Sequence, residues 1–441
     1  MNRIALFLSL VFVAPSFPVV LLGDDLANHW HQFRGPLATG EAPTGAPPTE
    51  WSETKNVRWK VEIPGEGSST PIVWGNRIFL LTAIKTDKKT DAVPEAKDQP
   101  QRPFGIVFPN HYYQFVVLCL DRGSGKMLWQ QVATEVVPHE GHHSDNDFAS
   151  STPITDGKHL WVNFGSRGVY CYDFDGNRVW QKDFGKLQTR LSFGEGSSPA
   201  LHDGVLVTMW DHDGPSFIVA QDASTGDVLW KKDRDEKSAW ATPLIVSRGG
   251  SVQVVTSATN RVRSYDLKSG ELLWECGGQV SNVTPAPVAL ENLVICMSGH
   301  RGSAAFALPL DQSGDLTDSG KIAWKLGRDT PYVPSPVLYE DRLYFTKSND
   351  GILTSALAAT GKPIIETQRL PGIRSIYASP VAAAGRIYFT SRDDVTVVIR
   401  HGDKLEILAT NQLDDPIDAS AAIVGKEMFL RGKRFLYCIA E

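Results

Sequence analysis

The chain repeats one short phrase. Ser69-Thr70-Pro71-Ile72-Val73 leads through the Gly75-Asn76 turn into the apolar run Ile78-Phe79-Leu80, and the same order of anchor, apolar pair, turn and apolar run returns to the C-terminus. The anchoring proline recurs at Pro153, Pro199, Pro243, Pro287, Pro336 and Pro380, with a degenerate copy at Ser420-Ala421. Successive spacings are 82, 46, 44, 44, 49, 44 and 41 residues. A period in the mid-forties is that of a four-stranded propeller blade. Length alone would suggest about three domains, but blades share one ring and count as one.

Each repeat parses into four strands. In the copy after Ser197 these are Pro199 to Leu201, Val205 to Met209, Phe217 to Gln221 and Val228 to Lys231, with turn residues where an antiparallel meander reverses. The sharpest sub-motif is Ala220-x-Asp222-x-x-Thr225-Gly226-x-x-x-Trp230. Its aspartate accepts hydrogen bonds from the turn backbone and its glycine permits positive φ. Variants end on Trp129, Trp180, Trp274 and Trp324, with Ile365 in the corresponding slot of a later copy. These tryptophans, together with Trp59, are expected to bridge neighbouring blades, each burying an indole and aiming its N–H at backbone.

The last copy, from Ile417, supplies only three strands, whereas 56–63 alternates apolar and polar residues at period two ahead of the first anchor. This segment can supply the missing outer strand and close the ring without free edges. The expected fold is therefore all-β: an eight-bladed propeller of four-stranded antiparallel blades, closed by an N-terminal strand.

A net charge of −6 over 441 residues, with no long polybasic run, argues against a nucleic-acid partner. Residues 1–23, with Arg3 ahead of an apolar stretch, read as a signal peptide and place the mature protein in the periplasm or outside the cell. The alternative is an uncleaved anchor, the one route to a membrane, since 19 apolar residues just span a bilayer. Residues 24–56 read as a segment that docks through Trp30 and Phe33, and 57–441 as a single propeller. The five cysteines lack metal spacing, and burial as free thiols is the simplest reading; Cys276 and Cys296 could also pair.

The Ala-x-Asp-x-x-Thr-Gly-x-x-x-Trp pattern and the Ser/Thr-Pro anchors resemble the repeat of pyrroloquinoline-quinone (PQQ)-type propellers. That family includes quinoprotein alcohol dehydrogenases and BamB-like outer-membrane assembly proteins. The resemblance covers roughly residues 28–441 and implies the fold more firmly than the activity. It implies two functions. One is a ligand-binding or protein-interaction scaffold working through channel-mouth loops; the other is an oxidoreductase holding PQQ and calcium at that mouth. The adjacent Cys-Cys pair of many quinoprotein dehydrogenases is missing, and no calcium-ligand or catalytic position of that group can be matched to a residue here. The scaffold is the preferred reading, with no cofactor assigned firmly and no catalytic residue named.

Strand order places the loops between blades, and those joining second to third strands, on one face. Residues expected at the resulting mouth are Glu66, Asn146, Arg190, Glu195, Trp240, Asn282, Tyr332, Arg374, Tyr377 and Asp418. An insertion at 84–112 stretches the first repeat, and an insertion of this length is often functional. On the same face, His139, His142, His143, Asp145 and Asp147 form the densest set of metal-ligating side chains. His139-Glu140-Gly141-His142-His143 matches the zinc-protease pattern formally, but it lies in a short glycine-containing loop without helical periodicity. A protein partner or small ligand bound at this face is the corresponding expectation.

Overall fold

The computed structural model describes residues 26–248 and 250–441; the expected signal segment lies outside them. Eight sheets follow one another around a ring. Numbered by their innermost strands, blades 1 to 8 begin at Ile72, Ile154, Ala200, Leu244, Val288, Val337, Val381 and Ala422. Blade 3 shows the pattern, with Ala200–His202, Val205–Trp210, Ser216–Asp222 and Val228–Arg234 paired antiparallel in sequence order. In blade 8 the outer position belongs to Val57–Glu62, which pairs antiparallel with Phe435–Ile439 and sets Trp59 opposite Cys438.

The anchor residues explain why neighbouring blades register. A residue before proline is held extended, so its N–H can point sideways at the next blade. The Thr70 N–H donates to Thr152 Oγ1 (3.1 Å), Thr152 to Ser198 Oγ (2.9 Å), and Ser198 to Thr242 Oγ1 (3.3 Å). The series resumes as Ala286 N–H to Ser335 Oγ, Ser335 to Ser379 and Ser379 to Ser420, at 2.9, 2.9 and 3.0 Å. It breaks between blades 4 and 5, where Ala286 offers no hydroxyl and the Trp240 N–H instead donates to the Val283 carbonyl at 2.7 Å. At the seam between blades 8 and 1, buried Arg431 donates to the carbonyls of Ser69 and Leu81.

The tryptophans fasten the outer rim. Trp59, Trp129, Trp180, Trp230 and Trp324 donate to the carbonyls of Arg122, Phe174, Ala223, Leu267 and Ala358 of the following blade, at 2.8–3.0 Å. Trp274 departs from the expected N–H bond. It is buried among side chains of blades 4 and 5, but its indole N–H meets no acceptor among the described residues. The reason is local. The chain after the third strand of blade 5 runs back as Gly314–Asp315, a fifth strand parallel to Leu272–Gly277 of blade 4, and the tight turn that would offer the carbonyl is absent there.

Residues 26–56 follow the inner strands near their far ends. Trp30 exchanges both backbone bonds with Val73, and the His31 carbonyl accepts from Thr155 of blade 2. Farther on, the Thr39 carbonyl accepts from Leu338, Ala42 donates to Ala382, and Ala46 donates to Gly425 of blade 8. Buried Arg34 donates to the carbonyls of Pro380, Pro336 and Thr39 at 2.7, 2.9 and 3.2 Å. Burial lowers its pKa to about 9, and three carbonyl acceptors hold it in place of a carboxylate. The segment closes the channel from the side opposite the anchors. All five cysteines are buried free thiols, so Cys276 and Cys296 are not paired.

Candidate functional site

On the anchor side the channel opens into a cavity of about 350 Å³. Its inner wall is the ring of anchor hydroxyls Thr70, Thr152, Ser198, Thr242, Ser335, Ser379 and Ser420, with Phe33 contributed by the N-terminal segment. Aromatic side chains from the loops make the upper wall: His143, Phe193, Trp240, His300, Tyr332 and Tyr377, with Phe104 from the insertion.

The insertion reaches this site by folding back. The second and third strands of blade 1, Arg77–Lys89 and His111–Asp121, are extended beyond those of other blades. The tip between them turns over the loop before blade 2. Ile106 is buried, and a Cβ on Gly141 would lie 2.9 Å from Ile106 Cγ2 and 2.3 Å from the Val107 carbonyl oxygen. The loop therefore requires glycine where the insertion crosses it. The Phe104 ring then stands 5.3 Å from His143 and 5.2 Å from Phe193, edge to face with both.

Two arginines tie down the mouth carboxylates. Asp145, in the loop before blade 2, accepts from Tyr377 Oη across the opening and from Arg392 of blade 7, both at 2.9 Å. Arg392 also pairs with Asp418 at 2.7 Å, and its guanidinium lies 4.2 Å from the Tyr377 ring centre. Burial raises the Asp145 pKa, but the bonds from Arg392 and Tyr377 outweigh it and hold the carboxyl below its ordinary value. At Asp418 burial prevails over Arg392, and the pKa is raised. Glu195 accepts from Arg167 at 2.7 Å and from the Ser166 hydroxyl and N–H.

Six of the ten mouth residues named from sequence line the cavity: Asn146, Glu195, Trp240, Tyr332, Tyr377 and Asp418. Asn146 is spent on structure, donating to the Phe193 carbonyl and accepting from the Ser150 hydroxyl. Trp240 donates to the Gly194 carbonyl at 2.7 Å. The other four lie outside. Glu66 is tied to Ala83 by its backbone, Arg190 is exposed on a turn and acts on His300 of the wall only through its charge, Asn282 is buried, and Arg374 pairs with Asp393 on the surface. Sequence reasoning missed Arg392, Arg301, His300, Phe193 and Phe104. Arg392 lies in the turn joining the second and third strands of blade 7, and His300 and Arg301 lie in the same turn of blade 5, positions the repeat could have flagged; Phe193 and Phe104 depend on loop paths.

The five metal candidates do not assemble. His139 bonds the Leu187 carbonyl through Nε2, His142 bonds the His143 carbonyl through Nδ1, and His143 Nδ1 accepts from the Asp145 N–H. Asp147 accepts from Ser68 and from the Ala149 N–H. Among the described residues no three His, Cys, Asp or Glu side chains converge in metal-binding geometry. The cluster seen in sequence is corrected to a hydrogen-bonded loop that shapes the mouth. A calcium-held quinone would need several oxygen ligands free to turn inward. Asp145, Asp418 and Glu195, the carboxylates on the cavity, are each committed to an arginine, so the residues present do not fit that group.

The fold and this mouth define a PQQ-repeat propeller. The family model described as "Outer membrane protein assembly factor BamB" matches residues 114–315 and 216–424, and the chain belongs to that family. A curated relative, the outer membrane protein assembly factor BamB of Yersinia pestis, is 25% identical over 261 residues, covering 54% of this chain and 58% of that protein. Among solved structures, BamB from Moraxella catarrhalis is 11% identical with a TM-score of 0.51, covering 81% of this chain and 99% of that one. The quinohemoprotein alcohol dehydrogenase of Comamonas testosteroni is 9% identical with a TM-score of 0.60, covering 93% and 80%. At these identities the two structures establish the shared fold.

Proposed function

We propose that this protein is an exported interaction scaffold that receives a segment of a partner protein at the channel mouth. The carrying observation is the apolar rim. Phe104 is 60% exposed although it sits on Phe193 and His143, and Leu191 nearby is 46% exposed. Solvent-exposed aromatics set beside a concave, mostly aromatic wall are typical of binding anchors. The name of the curated relative, an assembly factor of the outer membrane, supports a protein partner and a periplasmic location, and residues 1–23 would direct the export. The inward commitment of the mouth carboxylates favours binding over catalysis.

The test is site-specific photo-crosslinking from position 104 in envelope fractions, with the captured protein identified by mass spectrometry. One discrete partner, lost when Leu191→Asp is added to the protein carrying the crosslinker at 104, is the expected result. Equal capture with Leu191→Asp present removes the mouth from the interaction.

A further inference from the structure

The ring of anchor hydroxyls has a second property. Thr152, Ser198, Thr242, Ser335, Ser379 and Ser420 each accept a backbone N–H through the hydroxyl oxygen. That bond leaves each O–H hydrogen free to donate, and no protein acceptor for it is present among the described residues. Five of these six residues are more than nine-tenths buried, and all six line the cavity. Thr70 is also buried and on the cavity, and its hydroxyl has no hydrogen bond among the described residues. The ring therefore presents a set of O–H donors to the cavity.

Charge adds an independent observation. The three carboxylates on the cavity are closed by Arg392 and Arg167. Arg301 lines the same cavity, and its guanidinium has neither a carboxylate nor a hydrogen-bond partner among the described residues. It is held at φ 52°, in the left-handed region, a conformation that costs energy for a residue other than glycine. Arg392 is shared between two of these carboxylates, so Arg301 is the cation on the cavity that no carboxylate among the described residues engages directly.

We propose that the cavity binds a carboxylate, with its oxygens taken by ring hydroxyls, its charge met by Arg301, and the apolar body attached to it laid against Trp240 and Tyr332. A carboxylate offers four lone-pair sites and no donor, which is what a wall of O–H groups requires. This deepens the proposed function and rests on the same mouth. The carboxylate can belong to a free organic acid or to a polypeptide chain end. The volume equals that of roughly a dozen waters, room for one or two side chains.

Calorimetric titration of the full chain separates the sources. The probes are phenylacetate and phenylacetamide, and an Ala-Ala-Leu tripeptide with a free or an amidated C-terminus. Binding of at least one acid, with its amide weaker by about tenfold or more, is the expected result, and the acid that binds identifies the source. Arg301→Gln, an exposed position with little effect on folding, should weaken the acid by about tenfold and leave the amide unchanged. Equal affinity for acid and amide, an Arg301→Gln variant that binds as well as the parent, or no binding of any probe overturns the proposal. Partner capture at position 104 that persists alongside equal acid and amide affinity would sink the carboxylate site and leave the scaffold standing.

Discussion

The indole of Trp180 fills the space that a side chain on Gly226 of the next blade would need. A Cβ there would lie 2.8 Å from Cδ2 and Cε3 of the ring, while the indole N–H donates to Ala223 three residues earlier. The same contact recurs between Trp129 and Gly176, Trp230 and Gly270, and Trp324 and Gly361. The spacing of glycine and tryptophan in the repeat is therefore a contact between consecutive blades.

Gly226→Ala should destabilise the ring through two effects, a strained φ of +73° and the clash with Trp180. A loss of about 1–3 kcal/mol is expected from overpacking. Gly204 separates the two, because its φ is +74° and nothing lies within 4 Å of its Cβ position. Gly204→Ala should cost the strain alone. Urea unfolding midpoints check the pair; equal losses would show that packing against the indole contributes nothing.

Indole N–H groups give a second comparison. Trp230→Phe strands the Leu267 carbonyl that now accepts at 2.8 Å, whereas the Trp274 N–H has no acceptor to abandon among the described residues. Both changes remove similar ring area, so the difference reports the hydrogen bond. Trp230→Phe should cost about 1 kcal/mol more than Trp274→Phe, measured by the same unfolding series.

The repeat made the ring legible because blade geometry depends on residues the sequence states directly: proline anchors, the turn glycine and the outer tryptophan. The ring hydroxyls were visible too, as the residues preceding those prolines. Their pairing across blades was not, since a backbone N–H meeting a side chain about 45 residues away leaves no local pattern. The mouth was legible only in part. Tyr377 and Asp418 were named because they lie in loops between blades, but Arg392, which holds Asp145 and Asp418 together, required a contact spanning 247 residues. The histidine-rich loop misled for the opposite reason. Proximity in sequence counted as proximity of side chains, and the backbone turned each ring toward a different main-chain group.

Arg34 should tolerate no replacement that lacks its fork of donors. Arg34→Met keeps the apolar stem but strands the carbonyls of Pro336, Pro380 and Thr39 in a buried setting. With each unmet acceptor costing about 1–3 kcal/mol, the variant should unfold at clearly lower denaturant and lose amide protection along 30–46 first. Hydrogen exchange followed by mass spectrometry resolves this; uniform loss of protection around the ring would count against a plug held by Arg34.

Glu41 supplies a pH dependence with a defined sign. It lies in the N-terminal segment beside Ala382, and burial, then the charge of Glu340, raises its pKa to about 7, against about 4.3 for a free glutamate. The folded state therefore holds this proton more tightly than the unfolded chain. Its contribution to stability is greatest below about pH 4.3, falls as pH rises, and reaches its full cost above about 7. Glu41→Gln removes the titration, so the variant should gain stability over the parent at pH 8 and show no such gain at pH 4. Because the side chain is partly exposed, solvent screening limits the gain to the order of 1 kcal/mol. Thermal melts of both proteins at the two pH values isolate this carboxyl, since every other group titrates equally in both. A difference between the melting temperatures that does not change with pH would show that Glu41 titrates like a solvated glutamate.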